Sequence, residues 1–95
     1  MLNSRQRAVL KGMANTIEPV IFIGKAGITD NVVMQTEEAL TARELIKGTV
    51  QQNAPLGAAE ALETLTQKTG ADAVSSAGRK FVLFRPRPKD PGIRV

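Results

Sequence analysis

Two runs, Val20-Ile21-Phe22-Ile23 and Phe81-Val82-Leu83-Phe84, limit the architecture more than any other feature of the chain. Each is four apolar residues of strand-forming type with no polar alternation. That pattern suits strands buried on both faces rather than one. No uninterrupted apolar stretch is longer, and a membrane helix needs roughly 20 such residues.

The rest of the chain reads as three helices and two further strands. A first helix is expected over residues 4–15, with Asn3 as N-cap and Gln6 completing a capping box. Leu10, Met13 and Ile17 make its apolar stripe, while Arg7 and Lys11 share another face. Glu18-Pro19 ends it, because the residue before proline avoids the helical region. After the first run comes the turn Gly24-Lys25-Ala26-Gly27. Thr29 or Asp30 then caps a helix reaching about Ala42, with Val33, Thr36 and Leu40 inward. Leu45 to Gln51 reads as a strand in which Gly48 marks a bulge or a close approach of another backbone. A third helix over residues 57–69 turns Ala58, Leu62, Leu65 and Thr69 to one side and stops at Gly70. Residues 71–76 and 80–85 form a hairpin around Ala77-Gly78.

The resulting order, α-β-α-β-α-β-β, is an α/β fold with a four-stranded mixed sheet and three helices. Right-handed crossovers make the first three strands parallel, and the hairpin adds an antiparallel one. Residues 1–86 form one domain. The basic segment 87–95, with Pro88 and Pro91, is expected to be a flexible tail.

Composition removes most chemistry. The 95 residues include no Cys and no His, which excludes thiolate catalysis, zinc-thiolate sites and His-based nucleophile activation. Glu37 and Glu38 are adjacent and so diverge on a helix. Glu60 and Glu63 lie on an exposed face with no partner for acid-base work. A small phosphatase of the acylphosphatase type has the order β-α-β-β-α-β, which does not match. No enzyme activity, cofactor, metal site, small-molecule substrate or membrane association is expected, and a monomer is. Met1-Leu2-Asn3-Ser4-Arg5 lacks the apolar core of a signal peptide, so the expected compartment is the cytoplasm.

The charge is more informative. Residues 1–29 set Arg5, Arg7, Lys11 and Lys25 against Glu18. Residues 79–95 set Arg79, Lys80, Arg85, Arg87, Lys89 and Arg94 against Asp90. The segment between them is net acidic, although the whole chain carries +4. Basic ends around an acidic middle produce a one-sided field if the ends meet, and such a field attracts phosphate polyanions. Gly24-Lys25-Ala26-Gly27 precedes a helix N-terminus, where backbone amides and a lysine can hold a phosphate as the GXXG loop of KH domains does. It is not a nucleotide-hydrolysing P-loop, since Ala26 stands where Ser or Thr is needed. Nor is it a dinucleotide fingerprint, which needs a third glycine. Phe81 to Phe84 match only half of an RRM stacking motif and read as core. With three aromatic residues in the chain, stacking cannot be the main source of affinity.

Ser4-Arg5-Gln6-Arg7, residues 18–29 (EPVIFIGKAGIT), residues 42–47 (ARELIK) and Gly78-Arg79-Lys80 with the following FVLFR resemble the CRM domain. CRM stands for chloroplast RNA splicing and ribosome maturation. The similarity is closest to bacterial stand-alone YhbY-type RNA-binding proteins, over about residues 2–86. It implies a fold similar to the C-terminal domain of translation initiation factor 3. It implies non-catalytic binding of ribosomal RNA in precursors of the large ribosomal subunit. It carries RNA contact onto Gly24, Lys25, Ala26 and Gly27, and onto a basic surface of Arg5, Arg7, Lys11, Lys47, Arg79, Lys80 and Arg85. Ala26 and Gly48 depart from the family pattern, the first at the loop and the second at a usually β-branched strand position. The alternative function is a module that binds a ribosomal or other protein, with incidental RNA contact.

Overall fold

The computed structural model describes residues 2–95, so Met1, the first residue of the expected domain, lies outside it. The elements are α1 (Ser4–Ala14), β1 (Pro19–Ile23), α2 (Asp30–Arg43), β2 (Leu45–Val50), α3 (Ala58–Thr69), β3 (Asp72–Ala77) and β4 (Lys80–Phe84). Local signals set several boundaries. Asn3 Oδ1 accepts from the Gln6 amide at 2.8 Å, and Gln6 Oε1 accepts from the Asn3 amide at 3.0 Å, closing the capping box. Gly70 ends α3 in the left-handed conformation at φ 74°.

The strands lie in the order β1-β2-β4-β3. β1 and β2 are parallel neighbours, while β4 runs antiparallel to both β2 and β3. The first three strands therefore share a direction, as expected, but β3 is not beside β2. The crossover through α3 skips one strand position, and the hairpin returns β4 into the gap. This makes β4 a central strand, and Phe81, Val82, Leu83 and Phe84 are all buried.

Helices cover the sheet on both sides. Ile21, Ile23, Ile46, Val50, Phe81 and Leu83 pack with Leu40 of α2 and with Ala61, Leu62 and Leu65 of α3. On the opposite face Leu45, Val74, Val82 and Phe84 pack with Leu2, Leu10 and Ala14 beneath α1. Two sequence expectations need correction here. Met13 is 40 % exposed, because α1 stops at Ala14 and its buried pair is Leu10 and Ala14, four residues apart. The run Val20 to Ile23 is not enclosed on both faces either. β1 is an edge strand that α1 does not reach, and Phe22 is 55 % exposed while Ile21 and Ile23 are buried.

The segment after β4 is hydrogen-bonded to Glu44. Glu44 ends α2 at φ 68°, donating its amide to the Leu40 carbonyl and accepting from the Arg85 amide. Its buried carboxylate accepts from the amides of Arg87 (2.8 Å), Gly92 (2.8 Å) and Ile93 (3.0 Å), and Arg87 Nη2 lies 3.6 Å away. Local sequence gives no reason to notice this acid as a partner of the tail. The Arg87 amide, together with the other two and the Arg87 charge, holds the Glu44 carboxyl below its ordinary range despite burial. A depressed folded-state pKa contributes stability above the unfolded value and loses it as pH falls through the folded one. Hydrogen exchange followed by NMR should show the Arg87, Gly92 and Ile93 amides protected at neutral pH. That protection is expected to disappear in Glu44→Ala at neutral pH, and in the wild type on acidification below the ordinary carboxylate range.

Candidate nucleic-acid interface

Strand alternation and register decide which cations meet. Leu45, Lys47 and Thr49 of β2 point toward the α1 side, since Ile46, Gly48 and Val50 occupy the opposite one. Across the register Lys47 pairs with Val82, and Val82 pairs with Ser75; Thr49 pairs with Lys80, and Lys80 with Ala77. Lys47 and Lys80 therefore share one face. Lys11 reaches the same place from α1, and Arg79 from the β3–β4 turn.

These four residues, with Ala14, Asn15, Ser75, Ala77 and Val82, line an open groove of about 420 Å³ between α1 and the sheet. Among the described residues, the ion pairs are Arg85–Glu37, Arg87–Glu44 and Arg94–Asp90. Lys11, Lys47, Arg79 and Lys80 thus converge with no carboxylate within 4.0 Å of any of them. Such a cluster is self-repelling, and an anion placed in the groove relieves the repulsion. Short polar residues such as Ser75 and Thr49 carry no distinctive sequence signal; the register alone brings them beside the cations.

The glycine loop stands at the same end of the sheet. The Gly27 amide donates to the Gly24 carbonyl at 2.9 Å, closing a turn in which Gly27 has φ 72°. A Cβ at Gly27 would also meet Pro55 at 3.2 Å. The turn leaves Lys25 and Ala26 exposed at its tip. Gln51 donates its amide to Ile23, and Val50 donates to Arg79, so the loop and the hairpin turn flank the end of β2. At the start of α2, Thr29 Oγ1 accepts from the Val32 amide, and Asp30 adds a negative charge to the first turn. Both reduce what that helix end offers a phosphate, and leave Lys25 and the turn as the loop's contribution.

The remaining expected contacts fall elsewhere. Arg7 lies one turn from Lys11 on α1 and donates to the Leu2 carbonyl at 3.3 Å. Arg5 sits beside Asn3, Val9 and Arg94, away from the groove. Arg85 continues the Phe81–Leu83 alternation and so faces α2 and α3. Its Nη1 donates to Glu37 Oε2 (2.9 Å) and the Thr69 carbonyl (2.8 Å), and its Nη2 to Thr41 Oγ1 (3.2 Å). That guanidinium is committed to joining the two helices. A second cleft, of about 360 Å³, lies beside Met13, Ile17, Val20 and Ile93; it carries one cation, Arg43, opposite Glu18.

Over residues 2–85 the chain matches the CRS1 / YhbY (CRM) domain. The chain belongs to the CRM domain family. This CRM domain is 33 % identical, over 95 residues, to the Bacillus subtilis protein named Probable RNA-binding protein YqeI, spanning 100 % of this chain and 99 % of that one. A Haemophilus influenzae protein named RNA-binding protein is 33 % identical over 85 residues, spanning 90 % of this chain and 86 % of its own. The solution structure of the hypothetical protein SAV1595 from Staphylococcus aureus superposes with a TM-score of 0.84 at 35 % identity, covering 100 % of the CRM domain and 99 % of that chain.

Proposed function

We propose that this CRM domain is a non-catalytic RNA-binding protein that holds ribosomal RNA phosphates in the groove between α1 and the sheet. The observation that carries the reading is the convergence of Lys11, Lys47, Arg79 and Lys80 with no carboxylate partner. The names of the relatives support RNA as the polyanion. The glycine loop adds Lys25 at the same end of the sheet. Association with precursors of the large ribosomal subunit, in the cytoplasm, is the role we assign to this activity. Crosslinking in cells followed by sequencing of bound RNA tests that role: enrichment of large-subunit precursor RNA is expected, and its absence would contradict the assignment.

Lys25→Ala is expected to weaken RNA binding by about 1 kcal/mol for every sequence tried, because a phosphate contact positions RNA without reading it. Titration of several RNAs checks this, and a change in their ranking counts against it. Arg85→Met provides the opposite case. It should cost about 2 kcal/mol of stability, through lost charge-assisted hydrogen bonds, and leave RNA affinity within about twofold. Urea unfolding and the same titration measure the two effects.

A further inference from the structure

We propose that the uncovered end of the sheet is a stacking platform on which Phe22 holds one unpaired RNA base, making the domain selective for single-stranded RNA. The inference rests on the RNA-binding reading and specifies which form of RNA is bound. Ile21 and Ile23 are buried under α2 and α3, so alternation fixes Phe22 on the other face, where it is 55 % exposed. The core is therefore not what Phe22 serves.

Register places Phe22 at one end of a row that crosses all four strands: Phe22, Thr49, Lys80 and Ala77. Neighbouring strands lie about 4.8 Å apart, so Phe22 and Lys80 stand roughly 10 Å from each other. The α1 core contacts, Leu45, Val82 and Phe84, are further along the strands, and the row remains open. One residue past β1 the glycine loop begins. An exposed ring is thus set between Lys25 on one side and Lys80 and Arg79 on the other.

Charge complementarity selects the occupant. A partner must present negative charge to the unpaired cations and a flat apolar surface to the ring, and a single RNA strand offers both. In a duplex the bases are stacked on one another, so a duplex reaches the cations and not the ring. A phenyl ring has no hydrogen-bonding group, so the stacked base is held without regard to identity. One ring holds one base, which leaves the cations as the main source of affinity.

The chain has no Trp and no Tyr, so Phe22→Trp introduces a sole indole reporter. A short mixed-sequence single-stranded RNA is expected to quench that fluorescence on binding, whereas the blunt duplex formed with its complement binds without quenching. Phe22→Leu, which keeps apolar bulk but has no π-face, should weaken single-strand binding about tenfold and leave duplex binding and the melting temperature unchanged. Equal single-strand affinity for Phe22→Leu and the wild type would overturn the platform. Quenching of Phe22→Trp by the duplex to the same extent would also overturn it. If Phe22→Leu binds as the wild type does while neutralising the groove cations abolishes binding, the platform fails and the RNA-binding reading stands. If the wild type binds neither RNA, both fail.

Discussion

Replacing Gly48 by valine is expected to destabilise the fold by about 3 kcal/mol, the upper end of overpacking costs. On the size scaling of small domains, that lowers the melting temperature by on the order of 15 °C. Gly48 and Phe81 are cross-strand partners in the β2–β4 ladder. A Cβ on Gly48 would run into Phe81 Cζ and lie 2.6 Å from Cε2, a separation that packed atoms do not tolerate. The ring cannot swing aside, because Phe81 is fully buried among Ile21, Ile46, Leu65 and Leu83. Glycine and phenylalanine thus form one packing unit in which the ring occupies the space a side chain would take. A β-branched side chain at this position is incompatible with Phe81 in this chain. Phe81→Leu alone should also destabilise, by leaving a void over Gly48. Together the two substitutions should cost at least about 1 kcal/mol less than the sum of their separate effects. A double-mutant cycle from urea unfolding measures the coupling, and additive costs would show that the two side chains do not share the space.

Neutralising the groove is expected to have a large effect on binding with none of that loss of stability. A variant carrying Lys11→Gln, Lys47→Gln, Arg79→Gln and Lys80→Gln removes four cations that make no ion pair among the described residues. Each phosphate neutralised on single-stranded RNA contributes about 0.7 to the exponent of the salt dependence. Four contacts then account for roughly 600-fold in affinity at about 0.1 M salt, for an unchanged intercept at 1 M. Removing mutual repulsion should hold the melting temperature or raise it slightly. Affinity falling while stability is kept distinguishes a binding groove from a set of residues that merely supports the fold.

Much of the local structure is legible in the sequence because short-range physics sets it. The Asn3–Gln6 capping box, the Gly70 stop and the inward stripe of Thr36 and Leu40 each depend on residues within one or two turns. The placement of β4 between β2 and β3 depends on long-range pairing, and spacing along the chain does not reveal it. Phe22 is misread for a related reason. A run without alternation states that the strand is apolar and leaves open which face is covered, and only the edge position of β1 decides that. Glu44 gives no local signal, since its three amide partners lie more than 40 residues away. The basic surface is legible in part. Charge segregation in sequence correctly anticipates that α1 and the hairpin meet, but a charge count carries no face. Arg85 turns to α2 and α3 by the same alternation that buries Phe81 and Leu83, and Arg5 lies away from the groove beside Asn3 and Arg94.

In the proposed function a polyanion binds through Lys11, Lys47, Arg79, Lys80 and Lys25 acting together. The most direct test is the salt dependence of affinity for one single-stranded RNA, measured on the wild type and on the fourfold variant. With five phosphates neutralised, log K against log salt should slope between about −3 and −4 for the wild type, and near −0.7 once only Lys25 remains. A flat response in the wild type, or the same steep slope in both proteins, would contradict the account.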